Sequence, residues 1–256
     1  MSGTVMSGGV MSGTVMNGQG TVSREYTGRH RAPDELLAAQ VMVIAKEPVP
    51  GRVKTRLTPP YTPAEAAELA EAALADTLAA AASAPLARRV LALDGTPGPW
   101  LPPGFDVIAQ RGAGLDERIA WALDDARATS PVPLVLIGMD TPQVTPALLA
   151  AAARPLASGA ADATLGMAED GGFWLLGLRE IDPELVLGVP MSRPDTGSAQ
   201  LARLQAAGLR VRMMPELTDV DTADEAGRVA AQTPGSAFAA CLSRLGRGAA
   251  RPLAPV

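Results

Sequence analysis

An apolar, partly β-branched run, Val41–Ala45, ends in Lys46 and passes into a segment punctuated by Pro48, Pro50 and Gly51 and carrying Arg52, Lys54 and Arg56. It reads as a buried strand that delivers a basic loop. In open α/β sheets ligands bind where loops leave the carboxyl ends of strands, and cations at this density suit a phosphorylated ligand. A buried strand followed by a merely solvated loop has the same composition.

The rest of the chain repeats the alternation of strand and helix. Thr62, Pro63 and Glu65 give a cap, a first helical residue and an acidic first turn, so a helix is expected to about Ser83. Strands are expected at Arg88–Leu93, Phe105–Ala109, Val132–Ile137, Ala160–Gly166, Gly172–Leu178 and Leu209–Met214. Helices are expected from the Gln110–Arg118 stretch onward, with Leu115, Ile119, Ala122 and Leu123 on one face, from about Thr145 to Ala157, and from Asp195 or Thr196 to about Ala207.

A chain of 256 residues with 47% hydrophobic content can bury a sizeable α/β core, and with 3% aromatics that core must come from Leu, Val, Ile and Ala. The net charge of -5 argues against a general nucleic-acid binder, because no basic excess is available to neutralise many phosphates. Cys241 is the only cysteine and His30 the only histidine, which argues against disulfides, cysteine-cluster zinc, and Ser-His-Asp or Cys-His catalysis. No apolar run reaches the roughly 18 to 20 residues that span a bilayer. The Ala-rich stretch Glu68–Ala87 is interrupted by Glu71 and Asp76, so a cytoplasmic protein without membrane contact is expected.

Residues 1–35 carry an imperfect Met-Ser-Gly-Thr-Val-Met repeat without the features of a signal peptide, so they are expected to form a flexible tail, of which residues 1–32 can be deleted without cost; Met6, Met11 or Met16 is an alternative start. A domain over 36–240 and a C-terminal extension over 241–256 complete the expected organisation.

Acids follow several of these strands. Asp140, in Gly138–Pro142 just past the buried Val132–Ile137 run, is where a divalent cation can be held against a diphosphate; a turn-capping aspartate is the alternative. Ala168–Gly172 offers the Asp170 carboxylate and close backbone approach at Gly171 and Gly172, or simply a hairpin turn. In Leu217–Asp224, alternation puts Asp219 and Asp221 on one side if the chain is extended there. Two acids facing one way need a positive partner, unless they merely cap the helix that starts near Thr222.

The segments AKEPVPGRVKTRL, GMDTP, AEDGGFWLLGL and LTDVDTADE, in this order, resemble bacterial glycosyltransferase-like proteins of the GT-A, nucleotide-diphospho-sugar transferase type. More distantly the chain is similar to 2-phospho-L-lactate and phosphoenolpyruvate guanylyltransferases. The resemblance covers about residues 38–232. It implies an α/β, Rossmann-like GT-A three-layer sandwich with a mostly parallel mixed sheet. It further implies a nucleotide site at Ala45, Lys46, Gly51, Lys54, Thr55 and Arg56, to which the helix start at Gly114, Asp116 and Arg118 is added.

Mg²⁺ or Mn²⁺ is implied on Asp140, Asp219 and Asp221, with Asp140 and Asp170 catalytic and Gly171, Gly172, Gly197 and Ser198 against the acceptor. Residues 190–198 depart from the glycosyltransferase-like pattern, and Thr196–Ala199 is closer to the guanylyltransferases. The expected activity is therefore glycosyl transfer from a nucleotide sugar to a small-molecule acceptor. Nucleotidyl transfer from an NTP to a phosphorylated acid, with loss of pyrophosphate, and a non-catalytic nucleotide-binding protein are the alternatives. A homodimer is open.

Overall fold

The computed structural model describes residues 36–248, so the expected N-terminal tail lies outside the described residues. Seven strands form one sheet: β1 (Leu37–Lys46), β2 (Leu86–Asp94), β3 (Asp106–Ala109), β4 (Leu134–Ile137), β5 (Ala163–Ala168), β6 (Phe173–Leu178) and β7 (Val211–Leu217). Their order is β3-β2-β1-β4-β6-β5-β7. Every neighbouring pair is parallel except those of β6, which runs antiparallel to both β4 and β5. A hairpin thus inserts one reversed strand into an otherwise parallel, α/β sheet.

The helices are α1 (Pro63–Ser83), α2 (Leu115–Thr129), α3 (Pro146–Ala157), α4 (Thr196–Ala206), α5 (Ala223–Gln232) and α6 (Ala237–Gly248). The pleat of the strands sorts them into layers. From β1, Val41 and Val43 point into a core shared with Leu74 and Leu78 of α1 and Leu149 and Leu156 of α3. Met42 points to the other face, where Ile119 and Leu123 of α2 and Leu204 of α4 cover it. Both faces of the central strands are buried, which is why these strands read as continuous apolar runs.

Thr62 caps α1 through a reciprocal box with Glu65, with Pro63 at the first position, as the sequence indicates. The strands after residue 158 start later than expected. Gly159 turns with φ 73, and the Asp162 carboxylate accepts from the backbone N–H and guanidinium of Arg210, so β5 begins at Ala163 and β7 at Val211. Leu115 is largely exposed at the start of α2, whereas Ile119, Ala122 and Leu123 face the core.

A third apolar cluster lies on the outer side of α1, where Leu69 and Ala73 meet Val220, Val229 of α5, and Phe238, Cys241 and Leu245 of α6. Asp76 on α1 accepts from the N–H groups of Ala237 and Phe238, fixing the start of α6. α6 therefore runs through the boundary expected after residue 240, and its buried residues lie on both sides of it. Among the described residues no helix is long and apolar enough to cross a membrane.

Candidate active site

The carboxyl edge of the sheet opens into a cleft of about 590 Å³. Its floor is set by how the chain leaves β1. Gly51 makes the turn with φ 77, Val53 and Leu57 are buried as anchors, and a short 3-10 turn follows over Thr55–Leu57. Between the anchors Lys54 adopts a left-handed backbone, φ 48 and ψ 41, which is uncommon for a residue with a side chain. Its side chain is only 7% exposed, whereas Arg52 and Arg56 are 59% and 69% exposed. The basic loop thus holds one buried cation and two at the surface.

The Lys54 ammonium donates to Asp140 Oδ1 at 2.8 Å and to Asp221 Oδ1 at 2.9 Å. Burial alone favours the neutral amine, but the two carboxylates outweigh it and raise the lysine above its ordinary value. Arg56 donates to the second oxygen of Asp221 at 3.1 Å. Lys54 and Arg56 together hold Asp221 below the usual carboxylate range against the opposing effect of its burial.

Asp140 and Asp221 meet because the chain beyond β7 returns across the sheet edge. Two strands, β6 and β5, lie between β4 and β7, yet Val220 donates its N–H to Asp140 O at 3.0 Å, and Gln143 donates to Thr218 O at 2.7 Å. Val220 is buried against α1, so alternation leaves Asp219 and Asp221 on the cleft side. The capping alternative is answered by α5 itself. Its cap is Thr222 with Glu225, and the Glu225 carboxylate accepts from the N–H groups of Asp221 and Thr222. Neither aspartate side chain is spent on the helix.

Asp219 is the unbalanced member of the group. Burial and then the neighbouring Asp140 carboxylate, with smaller contributions from Asp170 and Asp221, push its acid up to about 7 against the pull of Lys54. Asp170 sits in the β5–β6 hairpin and lines the same cleft, with one oxygen accepting from Gly172 N at 2.8 Å. Among the described residues no three such side chains are already drawn together as metal ligands. The donor chemistry nevertheless fits Mg²⁺ or Mn²⁺, since Asp140, Asp170, Asp219 and Asp221 offer only oxygens and exceed the charge that Lys54 and Arg56 supply.

The remaining expected residues divide. Ala45, Lys46, Thr55, Arg118 and Gly172 line the cleft, but Gly51, Gly114, Asp116, Gly171, Gly197 and Ser198 do not. Gly114 is the N-cap of α2, and Asp116 accepts from Gly188 N at 3.0 Å, which ties α2 to the segment before α4. Gly197 donates to Gly171 O at 2.8 Å, and a Cβ at either glycine would strike backbone, so both serve the packing of α4 on the hairpin. The Ser198 hydroxyl is taken by Asp195 O. Asp195 precedes α4 without capping it through its side chain, which instead pairs with Arg193.

Three residues that organise the cleft escape a reading of the sequence. Asp94, at the end of β2, accepts from Arg118 at 2.7 Å and lies 3.9 Å from Arg52, and Arg118 holds its carboxyl below the usual range. Its place at the end of a strand is the same signal that marks Asp140, but its partners Arg118 and Arg52 lie far away in the sequence. Gln110 donates to Ala45 O at 2.7 Å and Ala92 O at 2.9 Å, clamping the ends of β1 and β2. Ser192 lines the cleft with φ 57, a strain that nothing in its sequence context announces.

Among solved structures the chain is similar to a protein of Desulfovibrio desulfuricans G20 provisionally named a nucleotide-diphospho-sugar transferase. The two are 26% identical with a TM-score of 0.74, over 82% of this chain and 96% of that one. Weaker similarity extends to a CMP:2-keto-3-deoxy-manno-octonic acid synthetase complexed with CTP, 14% identical with a TM-score of 0.48, over 75% and 96% of the two chains. Rv0371c of Mycobacterium tuberculosis H37Rv, in complex with manganese, is 23% identical with a TM-score of 0.45, over 75% and 97%. No curated protein matches the chain. The fold is the mixed, mostly parallel α/β sheet of the GT-A and nucleotidyltransferase-like proteins. The family model described as "Uncharacterized protein conserved in bacteria (DUF2064)" matches residues 66–193, which include Asp140 and Asp170, and the chain belongs to that family.

Proposed function

We propose that the chain is a metal-dependent transferase that moves the glycosyl group of a nucleotide sugar to a small-molecule acceptor. The observation that carries this reading is the meeting of Lys54, Asp140, Asp219 and Asp221 at the carboxyl edge of the sheet. The likeness to the Desulfovibrio desulfuricans G20 protein supports the same class. A cleft of about 590 Å³ suits a ligand the size of a nucleotide sugar.

Asp140, Asp219 and Asp221 would hold Mg²⁺ or Mn²⁺. Bound to these carboxylates, such a cation would supply neutralising charge for the leaving diphosphate. Lys46, Arg52 and Arg56, exposed around the basic loop, draw the phosphates in and orient them. Asp170 faces the cleft from the hairpin and accepts the proton of the acceptor hydroxyl as that oxygen attacks.

Thr196–Ala199 favours the second reading, transfer of a nucleotidyl group, because it is the stretch that resembles the guanylyltransferases. Product analysis separates the two. With Mn²⁺ and water as the slow acceptor, the protein is expected to release a nucleoside diphosphate from a nucleotide sugar. Release of pyrophosphate from an NTP, with every nucleotide sugar left intact, would replace glycosyl transfer by nucleotidyl transfer.

A further inference from the structure

We infer that the Lys54 ammonium is a built-in stand-in for the metal, and that a divalent cation enters the acidic cluster by displacing it. The inference rests on the metal-dependent reading above and specifies how this chain's own residues meet the cation. Lys54 Nζ lies 2.8 Å from Asp140 and 2.9 Å from Asp221, so it occupies the space between two carboxylates brought in by different segments. Those two carboxylates are 38% and 30% exposed, so the cluster opens to the cleft while the ammonium behind it is buried.

Val53 and Leu57, buried on either side of Lys54, already anchor the loop in the core. Yet Lys54 takes a left-handed backbone that directs its side chain inward while its basic neighbours face solvent. Asp219 lines the same cleft and, unlike Asp140 and Asp221, makes no ion pair among the described residues. The cluster is therefore satisfied at Asp140 and Asp221 and unsatisfied at Asp219, which leaves room for a cation of higher charge to win. Once displaced, the ammonium stays tethered at the cleft, where a diphosphate is its natural partner.

Two consequences follow from this exchange. A metal binding alone must first expel Lys54, so its affinity is reduced by the lysine. Because metal and phosphate each favour the displaced lysine, each also strengthens the other's binding, and this coupling is reciprocal.

The test is Mn²⁺ binding without nucleotide, followed by the electron paramagnetic resonance signal of free Mn²⁺, on the full chain and on Lys54→Gln, Lys54→Met and Asp140→Asn. Removing a unit charge a few ångströms from the metal is expected to tighten Mn²⁺ binding about ten-fold or more in both lysine variants, and Asp140→Asn is expected to lose it. A second readout needs no variant. Lys54 is shielded, so an amine-acylating reagent scored by mass spectrometry should label it slowly, and Mn²⁺ should raise that labelling several-fold while Lys46, already exposed, is unaffected.

Lysine variants that bind Mn²⁺ no tighter than the parent, or labelling of Lys54 that Mn²⁺ leaves unchanged, would overturn the displacement while the metal site at Asp140 stands. Absence of Mn²⁺ binding at millimolar concentration in the parent and in folded variants alike would overturn both the displacement and the metal-dependent reading. If the lysine variants do not fold, the labelling of the parent protein decides.

Discussion

Asp219→Asn is expected to raise the melting temperature of the protein in EDTA at pH 8 by roughly 3–10 °C, corresponding to about 1–3 kcal/mol. The cause is that folding buries this carboxylate among other acids, so its charge costs stability above about pH 7. Its carboxyl is pushed from 3.8 to about 7 by burial and by the neighbouring Asp140, Asp170 and Asp221 carboxylates. Between those two values the folded chain holds a proton that the unfolded chain has released, so stability falls as the pH rises through this window and levels off above it. Asparagine keeps the shape and removes the penalty. The gain should therefore shrink towards zero by about pH 4, and melting curves at both pH values check the sign. A variant that melts lower than the parent at pH 8 would show that Asp219 is held by a favourable partner.

Asp140→Asn is expected to lower turnover about a hundred-fold or more, on the scale seen when one group that meets developing charge is removed. Its melting temperature should stay near that of the parent. Asparagine still accepts from Lys54, Asp221 still pairs with the ammonium, and the repulsion on Asp219 falls. Initial rates at saturating donor, beside a melting curve of the same sample, separate loss of chemistry from loss of fold. Unchanged turnover would remove Asp140 from the reaction.

What could be read in the sequence was local. The Thr62–Glu65 box, the apolar run of β4 and the aspartate that follows it depend on neighbours a few positions apart; the box is where the pattern puts it, and β4 ends at Ile137 as expected but starts two residues later, at Leu134. The alternation of Asp219 and Asp221 around buried Val220 is equally local. The pairing of Lys54 with Asp221 is not, since 167 positions separate them and the return of the chain across the sheet edge brings them together. Loop composition pointed Lys54 at phosphates because a lysine beside arginines is usually solvated. Only the buried anchors on either side reveal that it turns inward. Gly171 and Gly197 show the converse limit, for a glycine that admits a ligand and one that admits a neighbouring backbone look alike in a sequence.

The cleft is expected to bind a nucleotide-activated donor through a divalent cation held by the acidic cluster. Calorimetric titration of a panel of nucleotide sugars and NTPs, in Mn²⁺ and again in EDTA, decides this. One nucleotide sugar is expected to bind once per chain, at least ten-fold more tightly in Mn²⁺ than in EDTA, with that difference absent in Asp140→Asn. Equal affinity in Mn²⁺ and EDTA, or no binding of any nucleotide, would contradict it.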